Sequence, residues 1–384
     1  MSKHDFPLEE YMQRRARVRE SMAEQGIDLL LVTDPVSVNY LIAARGKIWQ
    51  FFRCLFLTLE DEPLTFLVRR TEVAEVAELS LADDIRPWGG GTLEDPIARL
   101  ADIMREKGWL NRRIGIELPD YYISVHEYDR LNGALRDSRV TEATHIVRRV
   151  RRVKSQNELA YMRKATEALD AGVDTFHAEL AAGKPEHQVC GRAIGTMLAM
   201  GCDETASPMN FSSGPRTAYA HGLPSDRVMQ NGDLIHTEYG ASYRRYHATI
   251  GRVFSLGKPT KRMREIYDVV REACDACIAT MKDGVPAIDA HEAARKVILK
   301  AGMEDYRLHT SGYILGPAFP PLWVGDVNMI GGSEDILQEN MILSIEPPVF
   351  IAEEGLGARI IDNVRVTKTG AEIMSRTTRD LVVV

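Results

Sequence analysis

The chain has 384 residues, 45% hydrophobic and 27% charged, the balance of a folded globular protein rather than a disordered or fibrous one. At roughly 150 residues per domain this length predicts two or three domains. A formal net charge of −7 argues against a general nucleic-acid binder. No apolar run reaches the ~18 residues of a membrane helix, and the first twenty residues lack the apolar stretch of a secretory signal. The five cysteines suit a reducing compartment, so a cytoplasmic location with no membrane or nucleic-acid partner is expected.

In chain order, Leu8–Gln25 reads as an amphipathic helix closed by Gly26. Ile27–Thr33 is a short apolar run bounded by Gly26 and Asp34-Pro35, hence a buried strand. A short helix is predicted over Val38–Ala43. Cys54–Leu59 and Leu64–Val68 read as paired strands, Thr71–Leu79 as a helix and Asp84–Pro87 as a return to the sheet. Thr92–Lys107 is predicted helical, Arg113–Glu117 a strand and His126–Leu135 a helix. Alternation of this kind predicts an α/β domain over residues 1–153. The basic run Val147–Lys154 reads as a solvated linker facing acidic neighbours. A second domain over residues 154–384 opens at Ser155, where Ser followed three residues later by Glu158 is a capping box. Its helices are expected to run from Ser155 to about Leu180 and over His187–Met200, Arg262–Met281 and His291–Lys300. Its strands are expected over Leu234–Tyr239, Tyr246–Phe254, Leu308–Leu315, Met341–Phe350 and Arg359–Thr367. Cys274 and Cys277 fall inside a helical pattern with no second pair, so they read as ordinary helix residues.

Met209–Phe254 carries the first sign of chemistry. His221 lies in a Gly/Pro turn, and Glu238 sits within a strand, where a carboxylate is costly unless it meets a metal, a cation or several donors. The stretch resembles the core of the pita-bread family, which includes methionine aminopeptidase, prolidase, aminopeptidase P and creatinase. The resemblance covers nearly the whole chain. It implies a small N-terminal α/β domain and a pita-bread catalytic domain, a curved antiparallel sheet backed by helices.

The metallopeptidases of that family bind two metal ions through two Asp, one His and two Glu. At those five positions this chain has Glu238, Thr249, Tyr313, Glu346 and Ile361. Thr, Tyr and Ile are poor substitutes, so no metal and no other cofactor is expected. The resemblance then points to the metal-poor branch. Gly251 stands where creatinase has a further glutamate, whereas Arg245-Tyr246-His247 and His309-Thr310-Ser311-Gly312-Tyr313 look like ectoine hydrolases. On this reading the chain is a metal-independent hydrolase of a C–N bond in a small polar amidine, guanidine or amide. His221 would move protons, and Glu238 and Glu346 would hold the reacting group. Tyr313, His309, His247, Arg359 and Trp323 are the candidate substrate contacts. A homodimer is implied, with the N-terminal domain of one subunit reaching the other's site through Arg53 or Trp49. Three other readings stay open. They are a metal-dependent Xaa-Pro dipeptidase, a lyase of a betaine or sulfonium osmolyte, and a non-catalytic binding protein.

Overall fold

A computed structural model describes residues 4–119 and 121–384. The chain divides into two units, one ending at Arg151 and the other spanning Arg152–Val384, two residues before the boundary read from the sequence.

The first unit holds helix α1 (Leu8–Glu24), strand β1 (Leu29–Val32), α2 (Pro35–Ile42), β2 (Cys54–Thr58), β3 (Thr65–Arg69), α3 (Val73–Leu79), β4 (Asp84–Trp88), α4 (Pro96–Glu106), β5 (Arg113–Ile116), α5 (Val125–Ala134) and β6 (Arg139–Glu142). The sheet order is β4-β3-β2-β1-β5-β6. Helix α4 starts later than predicted. Asp95 accepts from the backbone of Ile97 and Ala98 and Pro96 occupies the first turn, which together fix the start. Strand β6 went unpredicted because its four residues are all exposed and carry no apolar alternation. The basic run is not a linker. Helix α6 (His145–Arg152) takes in most of it, with Ile146 and Val147 buried. Arg152 pairs with Asp326 and Asp335, and Lys154 is buried.

The second unit pairs helices with sheets twice over. Helices α7 (Gln156–Glu179) and α8 (Glu186–Ala199) back a sheet of β7 (Asn210–Ser213), β8 (Leu234–Tyr243), β9 (Tyr246–Ile250) and β10 (Val253–Ser255). Ser155 caps α7 in the reciprocal box that the sequence suggests. Helices α9 (Lys261–Thr280) and α10 (Ala287–Lys300) back a second sheet. It contains β11 (Gly312–Ile314), β12 (Asn328–Met329), β13 (Ile342–Ile345), β16 (Asp362–Val366) and β17 (Ala371–Ile373). Between β13 and β16 lies a two-stranded ribbon of β14 (Val349–Ile351) and β15 (Leu356–Ala358). The last strand, β18 (Val382–Val383), joins β10 in parallel. The predicted strand Met341–Phe350 is broken at Glu346-Pro347-Pro348, since two prolines cannot donate to a ladder.

Side-chain alternation places the polar residues. On β8, Ile235, Tyr239 and Ala241 join a core with Leu169, Phe176 and Val189, so His236, Glu238 and Gly240 face the other way. On β13, Leu343 and Ile345 pack against Val270 and Ala294, turning Ser344 to the opposite face. Ile314 does the same for Tyr313 on β11, and Val364 for Asn363 on β16. The two sheets thus carry their apolar residues outward to the helices and their polar residues inward. Cys274 and Cys277 lie in the α9 core, where burial pushes both thiol pKa values up.

Candidate active site

Glu238 is 4% exposed and holds a buried ion pair with Arg359 at 2.5 Å. Asn210, directly opposite on β7, donates a second bond to the same carboxylate oxygen. The Arg359 Nη2 also donates to the Ala220 carbonyl at 3.0 Å, so one guanidinium ties the His221 turn to the β8 carboxylate. Asp362, three residues after Arg359, is a rival partner by sequence position. Asp362 is instead taken by Arg252 at 2.9 Å and Arg379 at 2.5 Å.

Glu346 follows β13 and is fully buried. Its backbone N–H donates to the Ser311 carbonyl at 2.9 Å, which fixes its position. Neither carboxylate oxygen has a partner at full hydrogen-bond distance. Burial, then the Glu238 carboxylate, push its pKa up to about 8, while Arg359 and the nearby Tyr313 hydroxyl pull the other way. His309 Nδ1 lies 3.8 Å from Glu346 Oε1, and its ring stands edge-on to His221, centroids 5.9 Å apart. His221 is exposed. Partial desolvation, then the Arg359 charge, lower its pKa. His309 also borders an open groove with His291, Arg295, Arg307, Asn328 and Ile330.

Tyr313 and Trp323 form one wall. The indole Nε1 donates to the Tyr313 hydroxyl at 3.0 Å. A Cβ at Gly240 would sit 2.6 Å from the indole ring, so this glycine lets Trp323 lie against β8 one pleat from Glu238. His247 is the one proposed contact that the structure does not bring to the site. It is fully buried, with Nε2 bonded to the Ala206 N–H at 2.9 Å and Nδ1 2.8 Å from the Arg245 carbonyl oxygen. Arg53 lies within its own unit, 1% exposed and bonded to the carbonyls of Thr33, Phe51 and Tyr122.

Sequence reasoning missed Asn210 and His236. Recognising Asn210–Ser213 as a strand would have placed Asn210 beside Glu238. His236 needed only the alternation through Glu238. It is fully buried, and burial and Arg359 push its pKa down to about 3, so it stays neutral.

A two-metal centre needs several free carboxylates and imidazoles. Glu238 is engaged by Arg359 and Asn210. Thr249 accepts from Asn363 Nδ2 at 2.8 Å and lies 3.1 Å from the Ser344 hydroxyl. Tyr313 is bound by Trp323. Ile361 is buried against Gly251, where a Cβ would fall 2.5 Å from its side chain. Among the described residues, no three His, Cys, Asp or Glu side chains are grouped to hold an ion. These donors do not fit the two-metal set.

Residues 160–368 match the model of metallopeptidase family M24, and residues 14–153 that of the creatinase/prolidase N-terminal domain. The Xaa-Pro dipeptidase of Pyrococcus horikoshii is 32% identical over 260 residues, 67% of this chain and 69% of that protein. The crystal structure of dipeptidase PepE from Mycobacterium ulcerans superposes with a TM-score of 0.85 at 27% identity, covering 99% of both chains. The prolidase from Pyrococcus horikoshii gives a TM-score of 0.83 at 25% identity, covering 96% of this chain and all of that one. These relatives overturn the reading of a metal-independent hydrolase of non-peptide C–N bonds related to ectoine hydrolase. That reading was built on residues lost from a ligand set, and lost ligands do not identify a substrate. Among the described residues no helix is long and apolar enough to cross a membrane.

Proposed function

The chain belongs to metallopeptidase family M24, and from that premise we propose that it hydrolyses the amide bond of a small dipeptide of the Xaa-Pro class. The names of its relatives support the substrate class. The observation that carries the site is Glu346, a fully buried carboxyl group with both oxygens unpartnered, beside His309 and facing Tyr313 and Arg359.

Two titratable groups whose environments drive their pKa values apart define acid and base. Glu346, raised to about 8, carries its proton at neutral pH, whereas His221, lowered, is neutral there. His221 takes a proton from water as the water oxygen adds to the amide carbon. The C–N bond then breaks, and the leaving nitrogen takes the proton of Glu346. The imidazolium then gives up the proton it took from water and the Glu346 carboxylate regains one, leaving an acid and an amine. Arg359, fixed by Glu238, supplies positive charge beside the developing oxyanion. The residues present do not fit the family's metal pair, so no step is drawn through one.

Incubating the purified chain with a panel of Xaa-Pro dipeptides and proline-free controls tests this reading, with and without added manganese, cobalt or zinc. Cleavage of Xaa-Pro substrates in preference to controls is expected. Absence of cleavage under every condition would sink the proposal. A second reading follows from the locked Thr249, Tyr313 and Ile361 positions, namely binding of such a dipeptide without turnover. Calorimetric binding of an uncleaved dipeptide would favour it. A homodimer belongs to the same proposal, and light scattering should then give twice the chain mass.

A further inference from the structure

Tyr313 takes the position at which the family resemblance implies a histidine, and its surroundings decide which way its proton points. An indole N–H only donates. With Trp323 Nε1 3.0 Å from the phenol oxygen, that oxygen is the acceptor and its own O–H must point elsewhere. Arg359 cannot accept it. What remains beside the hydroxyl is the buried Glu346 carboxyl, which it faces and whose pKa it lowers without reaching full hydrogen-bond distance.

We propose that Tyr313, held as a donor by the Trp323 indole, gives its O–H to the carbonyl oxygen of the bound substrate, and that Trp323 is the positioning residue for this bond. The inference rests on the amide-hydrolase reading above. Both side chains are nearly dry, Tyr313 3% and Trp323 4% exposed, so the donor competes with little water. The indole is packed in place. It lies on Gly240, and its ring is 6.3 Å from that of His247, itself fixed by the Ala206 N–H. Tyr313 is anchored on β11, paired with Ser344 of β13 and Asn328 of β12. A rigid donor aimed at a pocket stabilises charge that grows on an oxygen there, and a carbonyl under attack by water is such an oxygen.

Two measurements separate this proposal from the reading beneath it. In 15N-tryptophan-labelled protein the indole proton resonance of Trp323, assigned by its loss in W323F, should shift upfield in Y313F. An unmoved resonance would remove the hydrogen bond and the proposal with it. On the best dipeptide, Y313F should lower kcat by about 10²–10³ with KM little changed, as removal of an oxyanion donor does. W323F should lower kcat less, by about tenfold, because the donor remains but is no longer oriented. Should W323F not fold, Y313F, which conserves the ring, carries the test. An active wild type matched by Y313F would overturn the proposal alone. A wild type inactive on every dipeptide would overturn the hydrolase reading and this inference together.

Discussion

Glu117 in the first unit and Glu346 in the second are both fully buried, and burial next to a second carboxylate pushes each pKa up to about 8. Their partners differ. Glu117 accepts from the Ser37 hydroxyl at 2.6 Å and the Asp34 N–H at 3.1 Å, and Asp34 in turn meets Arg151 at 3.3 Å. Glu346 accepts nothing at bonding distance. Glu186 follows the Glu117 pattern, bonded to Ser213 and Ser225 at 2.6 Å and paired with Arg216. A buried carboxyl group whose needs are met by the chain belongs to the fold. One whose needs are not met, beside His309 and Arg359, is where a substrate group can bond.

The contrast breaks most visibly in activity. Glu346→Gln removes the proton donor and should cut turnover by about 10²–10⁴, as loss of a general acid does, with the fold retained by circular dichroism. Glu117→Gln should leave turnover within twofold.

Arg359→Leu comes next, because it leaves Glu238 buried without its cation. Loss of about 3–5 kcal/mol in urea unfolding is expected. An unchanged midpoint would mean that the pair is not formed in solution.

The pH dependence has a fixed sign. Each raised carboxyl group favours its neutral form in the fold. The stability it contributes is therefore complete below its ordinary pKa near 4.5 and is lost as pH climbs through about 8. Glu346→Gln cannot ionise, so its Tm should gain on the wild type between pH 5 and 9. Glu117→Gln should show a similar gain across that window but start from a lower Tm at pH 5, because it gives up hydrogen bonds that Glu346 lacks. Equal Tm losses for the two variants at pH 5 would erase the distinction between the two sites.

The smallest effect is expected at Ser37→Ala. It deletes one bond to Glu117 and should cost about 1–3 kcal/mol with activity untouched. A loss of activity there would place the first unit in the chemistry.

Much of this was legible in the sequence, and the exceptions have physical causes. Period-two alternation marked β8 as a strand with Glu238 off its apolar face, and the Ser155/Glu158 box marked the start of α7. The break at Pro347-Pro348, which leaves Glu346 at a strand end, was written in residues that cannot join a ladder. Partner choice was not legible. Arg359 could meet Glu238, Glu346 or Asp362, and only the folded register gives it to Glu238. His247 looked like a site residue by its neighbours, yet both its nitrogens are committed behind Trp323. The substrate class was misread because lost ligands say what a site lacks and not what it accepts.

The most direct test of the account is the rate of Xaa-Pro dipeptide cleavage by the wild type and Glu346→Gln, measured side by side at matched fold and ion content. The account predicts cleavage by the wild type and at least a hundredfold loss in the variant. Equal rates in the two proteins, or no cleavage by the wild type under any condition, would contradict it.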